Sequence, residues 1–238
     1  QIIIANIVGE FIYFQCYNTK VTLRPTILDT TRHSEQLGEA MKLLLVSDRE
    51  DKYIWDHFDA ERFKDIDFII SCGDLKAEYL SFLVTMVNKP LFYVPGNHDK
   101  SFLHHPPEGC VSLDGQYITH QGFRIIGFGG SMRYNLGHYQ YSEKAMQARV
   151  NRMKPRLWVR RGFDILVSHA PAKLCGDGKD LCHSGFQCFT DLIDKYQPRY
   201  HFHGHNHLEY GHFPRICRRG ETTVINACGY YILDTEKE

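Results

Sequence analysis

At 238 residues the chain is long enough for one domain of ordinary size with a sizeable buried core. Lys and Arg total 28 and Asp and Glu total 28, so no global charge draws the molecule to nucleic acid or an anionic membrane. No apolar run is long enough to cross a bilayer, and eight cysteines in no regular framework, without a cleavable leader, point to a reduced cytoplasmic protein.

The opening, IIIANIVGEFIYFQCYN, sets Asn6, Glu10, Tyr13 and Tyr17 at helical spacing, with Ile3, Ile4, Ile7, Val8, Phe11 and Phe14 covering the rest. The spacing predicts an amphipathic helix. A membrane-surface helix carries Lys or Arg on its polar face, and none precedes Lys20. Its expected use is therefore packing on its own domain, or on a second copy of the chain in a homo-oligomer. Pro25 and the polar stretch 29–39 then form a link, which gives an N-terminal segment 1–40 and a main domain 41–238.

From there short apolar, β-branched runs alternate with helical patterns. Strands are expected at Lys42–Val46, Asp67–Ser71, Leu91–Val94, Phe123–Phe128, Asp164–Ser168, Arg199–Phe202, Thr222–Asn226 and Tyr230–Leu233. Helices are expected at Tyr53–Phe63, Ala77–Val87, from Ser142 onward, and at Phe186–Tyr196. Strand then helix, repeated, predicts an α/β fold with much of the sheet buried between helices.

The ends of those strands hold the chemistry. Asp48-Arg49-Glu50 follows the first, Cys72-Gly73-Asp74 the second and Gly96-Asn97-His98-Asp99 the third. His169 follows Asp164–Ser168, and Gly204-His205-Asn206-His207 follows the run at 199–202. One Asp or His after a strand is often a turn residue or a helix cap. Five successive strand ends, each bearing Asp, Asn or His, instead define one crevice, because sites in open α/β sheets form beyond the carboxyl ends of strands. Within HFHGHNH, imidazoles recur at every second position from His201 to His207, and His is the commonest metal ligand in proteins.

The series D-x-x, GD, GNHD, SH and GHxH, from Asp48 to His207, resembles the calcineurin-like metallophosphoesterase family. The resemblance implies two facing mixed β-sheets flanked by helices, with two metal ions at the strand ends, and makes 41–238 a metallophosphoesterase domain. By position, Asp74 resembles the carboxylate that bridges both ions. Asp48, residue 50 and His207 resemble the rest of the first ion's set; Asn97, His169 and His205 resemble the second's. His203 then orients its neighbours or hydrogen-bonds a ligand, and His201 is structural. Carboxylates with imidazoles suit divalent ions, manganese first, with iron, zinc or magnesium as alternatives. Two such ions about 3.5–4 Å apart clamp a phosphoryl group and make hydroxide available at neutral pH. The implied function is hydrolysis of a small phosphomonoester or phosphodiester. His98 resembles the acid that protonates the leaving alkoxide, with Asp99 expected to orient its ring.

One position departs from the family, whose first motif is usually D-x-H: Glu50 stands where imidazole is expected. As a ligand it would favour harder ions such as Mn²⁺ or Mg²⁺. Alternatively it points away, and Asp51 or a water fills its place. Glu50 is also the one mark toward a second reading, a scaffold of the same fold that has lost turnover and binds a partner. For substrate, Asn97, His98, Arg133 and His203 are the candidates, with Arg133 carried on the glycine-rich loop 127–134. Cys175, Cys182, His183 and Cys188 fit no standard zinc spacing and are expected to be free thiols. The basic run from Lys144 to Arg161 is read as a solvated helix face, so no nucleic-acid partner is expected.

Overall fold

The computed structural model describes residues 40–178, 180–208 and 214–237, and before them the backbone of three strands. The chain divides into two compact units, Gln1–Gly38 and Glu39–Glu238. The first contains β1 (Ile4–Val8), β2 (Phe11–Cys16) and β3 (Thr19–Thr22), an antiparallel meander with Ile4 opposite Gln15 and Tyr13 opposite Thr22. This replaces the expected N-terminal helix, and with it the element through which an oligomer was expected. Isoleucine, valine and aromatic residues favour strands, and a short apolar run fits both periods until it finds a partner to pair with. The expected link through Pro25 and 29–39 lies outside the described residues.

The second unit is built on two mixed sheets. In the first, β4 (Lys42–Ser47), β5 (Phe68–Ser71), β6 (Leu91–Tyr93) and β7 (Val111–Ser112) run parallel, and β16 (Gly229–Asp234) is antiparallel beside β4. In the second, β9 (Phe123–Phe128), β12 (Ile165–Ser168), β13 (Tyr200–His203) and β15 (Thr222–Asn226) run parallel. There β8 (Tyr117–His120) and β14 (Ile216–Arg219) form antiparallel edges. A parallel pair, β10 (Ser131–Met132) and β11 (Gln140–Tyr141), lies beyond β9.

The sheets face one another: the Phe68 ring meets Phe123 at 6.4 Å and His120 at 5.2 Å. On its other face the first sheet buries Leu44, Val46 and Ile69 under α1 (Lys52–Asp56), α2 (Ala60–Phe63) and α3 (Ala77–Val87). The second buries Ile126, Phe128 and Leu166 under α4 (Glu143–Val159) and α5 (Gln187–Tyr196). Strands covered on both sides read as unbroken apolar runs such as LLLV and FII, which is why the sequence marks them clearly.

The expected helix Tyr53–Phe63 is two helices. Asp59 accepts a hydrogen bond from the Glu61 amide at 3.0 Å and starts α2 afresh. Asp51, the alternative to Glu50, likewise caps α1, its Oδ1 taking the amides of Tyr53 and Ile54. Strands β7, β8 and β14 went unpredicted because short, half-exposed edges carry polar residues and little apolar alternation.

Candidate metal centre

Every expected ligand sits just past the carboxyl end of a parallel strand. Three of them hold left-handed backbone: Asp48 (φ 63°), Asp74 (φ 57°) and His205 (φ 68°). Such conformations are uncommon outside glycine and persist where the surroundings enforce them, typically at functional sites. Here they turn three polar side chains sharply off their strands.

The side chains meet around His169. Its Nε2 lies 3.0 Å from Asn97 Oδ1, 3.3 Å from Asp74 Oδ2 and 3.1 Å from His205 Nδ1. One ligand atom each from Asp74, His169 and His205 falls within 4.8 Å of the others. The remote nitrogens of both rings are occupied by backbone carbonyls, His169 Nδ1 by Cys72 at 2.8 Å and His205 Nε2 by Cys182 at 2.6 Å. A carbonyl accepts only an N–H, so each imidazole turns its other nitrogen toward the cluster. This is the outer-shell arrangement that orients metal-ligating histidines. Asn97 is fixed in the same sense. Its Nδ2 donates to Tyr134 Oη at 3.1 Å, which turns Oδ1 inward.

The electrostatics agree with a cation site. Burial opposes protonation of His169, yet Asp74, then Asp48 and the Cys72 carbonyl, hold its pKa at about 9. Burial also opposes ionisation of Asp74, but His169 and the His98 amide hold it at about 2. The cluster therefore demands positive charge at its centre, which a proton or a divalent ion can supply. Burial, with His169 beside it, pushes His205 down to about 3, leaving that ring neutral with a free lone pair. A carboxylate, an amide oxygen and two neutral-capable imidazoles form a donor set suited to a divalent metal.

Asp48 stands next to this group. Both of its oxygens accept from the His205 amide at 2.9 Å, and burial raises its pKa against the opposing charge of His169. His207 is half-buried and close enough to act on the Asp48 charge. Glu50 Oε2 accepts from Lys76 Nζ at 3.4 Å. The exposed His98 donates its amide to Asp74 Oδ1 at 2.8 Å. Asp99 does something the sequence did not reveal. Its buried Oδ2 accepts from the amides of Gly96 (2.7 Å) and Asp74 (2.8 Å), tying two strand-end loops together, whereas it was expected to hold the His98 ring.

His203 is buried against the loop that follows His169, with Nδ1 on the Gly204 carbonyl at 3.0 Å, and His201 Nε2 is held by Ser168 Oγ at 2.8 Å. Both rings are kept neutral by burial, His203 at about 4. Arg133 is exposed and reaches the Gln140 carbonyl at 3.4 Å. Tyr134 and the carbonyls of Cys72 and Cys182 were missed by the sequence reading. Tyr134 sits beside Arg133 in a loop already singled out, but backbone carbonyls have no sequence signal at all. The cysteines among the described residues are free.

Two glycines allow the close approach. A Cβ on Gly96 would overlap the Asp74 carboxylate, and one on Gly204 would overlap Ser47 and Asp48. Gly96→Ala is therefore expected to abolish metal binding, measured by calorimetry, while far-UV circular dichroism stays native. Unchanged affinity would show that the loop yields without disturbing Asp74.

A family model described as calcineurin-like phosphoesterase matches residues 37–209. One crystal structure aligns with a TM-score of 0.61 at 17% identity, covering 84% of this chain and 97% of the other. The structure of TT1561 from Thermus thermophilus aligns with a TM-score of 0.57 at 17% identity, covering 84% and 96%. At that identity the likeness concerns the fold. No curated protein matches the sequence.

Proposed function

We propose that this chain, which belongs to the calcineurin-like phosphoesterase family, hydrolyses a small phosphomonoester or phosphodiester with two divalent ions, manganese foremost. The observation that carries this reading is the convergence of Asp74, His169 and His205, with both rings fastened from behind by carbonyls. Those three and Asn97 would hold one ion. Asp48, His207 and Glu50, sharing Asp74, would hold the other. The chemistry such ions supply when bound is charge neutralisation on the phosphoryl oxygens and a lowered water pKa.

The remaining work falls to the chain's own residues. Asn97, pinned by Tyr134, and the exposed His98 and Arg133 would be the groups that contact a phosphate. As the ester bond breaks, the leaving alkoxide needs a proton, and the His98 ring supplies it. Asp99 keeps the loops of Asp74 and Asn97 in register through its two amide contacts. The direct test is a metal-reconstituted assay with an aryl phosphate and an aryl phosphodiester. Turnover of either above a chelated control supports the enzyme. Metal uptake without turnover of either leaves the scaffold reading, for which the Glu50–Lys76 pair is the supporting observation.

That pair is solvent-exposed and worth little, so ligation could displace it. Glu50→Ala is expected to weaken binding of the first ion, and Glu50→His to shift preference toward Zn²⁺. Identical affinity and preference in both variants would mean that Glu50 only pairs with Lys76.

A further inference from the structure

We propose that the C-terminal end of α4 is a docking surface for an anionic lipid bilayer. Between Lys144 and Gly162 the chain has no Asp or Glu, and Arg152, Lys154, Arg156, Arg160 and Arg161 are all exposed. Among them stand Trp158, 71% exposed, and Val159, 69% exposed, beside an exposed Pro155. An indole left in water by a folded protein, flanked by cations, matches the residue pattern of an interfacial helix: basic side chains meet anionic headgroups and the aromatic ring enters their boundary. Global neutrality hides this local charge.

The surface is built rather than frayed. Arg124 is held by Asp164 at 2.6 Å and donates to the carbonyls of Arg160 (3.1 Å) and Arg161 (3.3 Å), fixing the last turn. Those carbonyls are thereby satisfied, and no acid among the described residues claims the exposed Arg160 and Arg161 side chains. A shallow cleft of about 350 Å³ at this end of the helix is lined by Tyr117, Pro155, Arg156, Val159 and Arg160. Two guanidiniums over an apolar floor suit a phosphate headgroup with the start of its acyl chains. A nucleic-acid strand would instead need a basic groove with successive aromatic platforms, and Trp158 is a single ring on a convex helix end.

The position also leaves the metal centre open. Helix α4 enters from β11, near the site loops, and its end leads into the start of β12, whereas His169 follows the end of β12. Seventeen helical residues span about 25 Å, so the basic tip lies at the opposite end of the sheet from the crevice. A bilayer bound there leaves the crevice facing water.

The test uses the full chain and sedimentation with phosphatidylcholine vesicles, with and without phosphatidylserine. Binding is expected only with phosphatidylserine and should weaken as salt rises. In a Trp55→Phe background, Trp158 emission should shift to the blue on binding. Charge reversal by Arg156→Glu with Arg160→Glu should lower partitioning by at least about tenfold, with turnover in solution unchanged. Equal binding to neutral vesicles, an unmoved Trp158 emission, or tighter binding to a single-stranded oligonucleotide than to anionic vesicles would each overturn the proposal.

Discussion

Asp74→Ala should leave the protein unable to hold metal and without measurable turnover. Asp74 Oδ2 is within 3.3 Å of His169, and Oδ1 takes the His98 amide, so one carboxylate ties the proposed ligand cluster to the loop of the proposed acid. Loss of an outer-shell partner already costs about 10–100-fold in metal affinity or activity, and a ligand shared between two ions must exceed that. The substitution also strips His169 of its main counter-charge, so the buried ring should become neutral. Calorimetric titration with Mn²⁺ checks the binding, and circular dichroism checks that the fold survives. Retained affinity would remove Asp74 from the centre.

His98→Ala tests a different step. The residue is exposed and close enough to act on the Asp74 charge, while its backbone is anchored to Asp74. General acid catalysis is worth about 10²–10⁴-fold, so hydrolysis of alkyl phosphate esters should fall by that much with metal content unchanged. A nitrophenolate leaves without a proton, so the loss on nitrophenyl esters should shrink. Equal losses on both substrates would mean that His98 binds phosphate instead of donating a proton. Lost metal would make it a ligand.

The buried parallel strands and the polar residues at their ends were legible because both signals are local. LLLV followed by SD, or FIIS followed by CGD, states a strand and its site in one stretch. GNHD and GHNH also carry the glycines that the structure needs for close approach at Gly96 and Gly204. What remained hidden depends on distant partners. Nothing in the sequence says that Asp99 bridges two loops through backbone amides, or that Cys72 and Cys182 fasten the histidines by carbonyls. The opening residues failed for another reason: their apolar spacing suits a helix face, yet the β-branched and aromatic residues pair as strands. Trp158 carries no signal of its own in the sequence, because a basic run is usually a solvated face and only exposure separates this indole from a core aromatic.

The central claim is that the strand-end residues gather two divalent ions. Elemental analysis of the full chain, reconstituted with Mn²⁺ and dialysed against metal-free buffer, tests it most directly. Two ions per chain in the native protein, falling in Asp74→Ala, is the predicted result. One ion or fewer per native chain would contradict it.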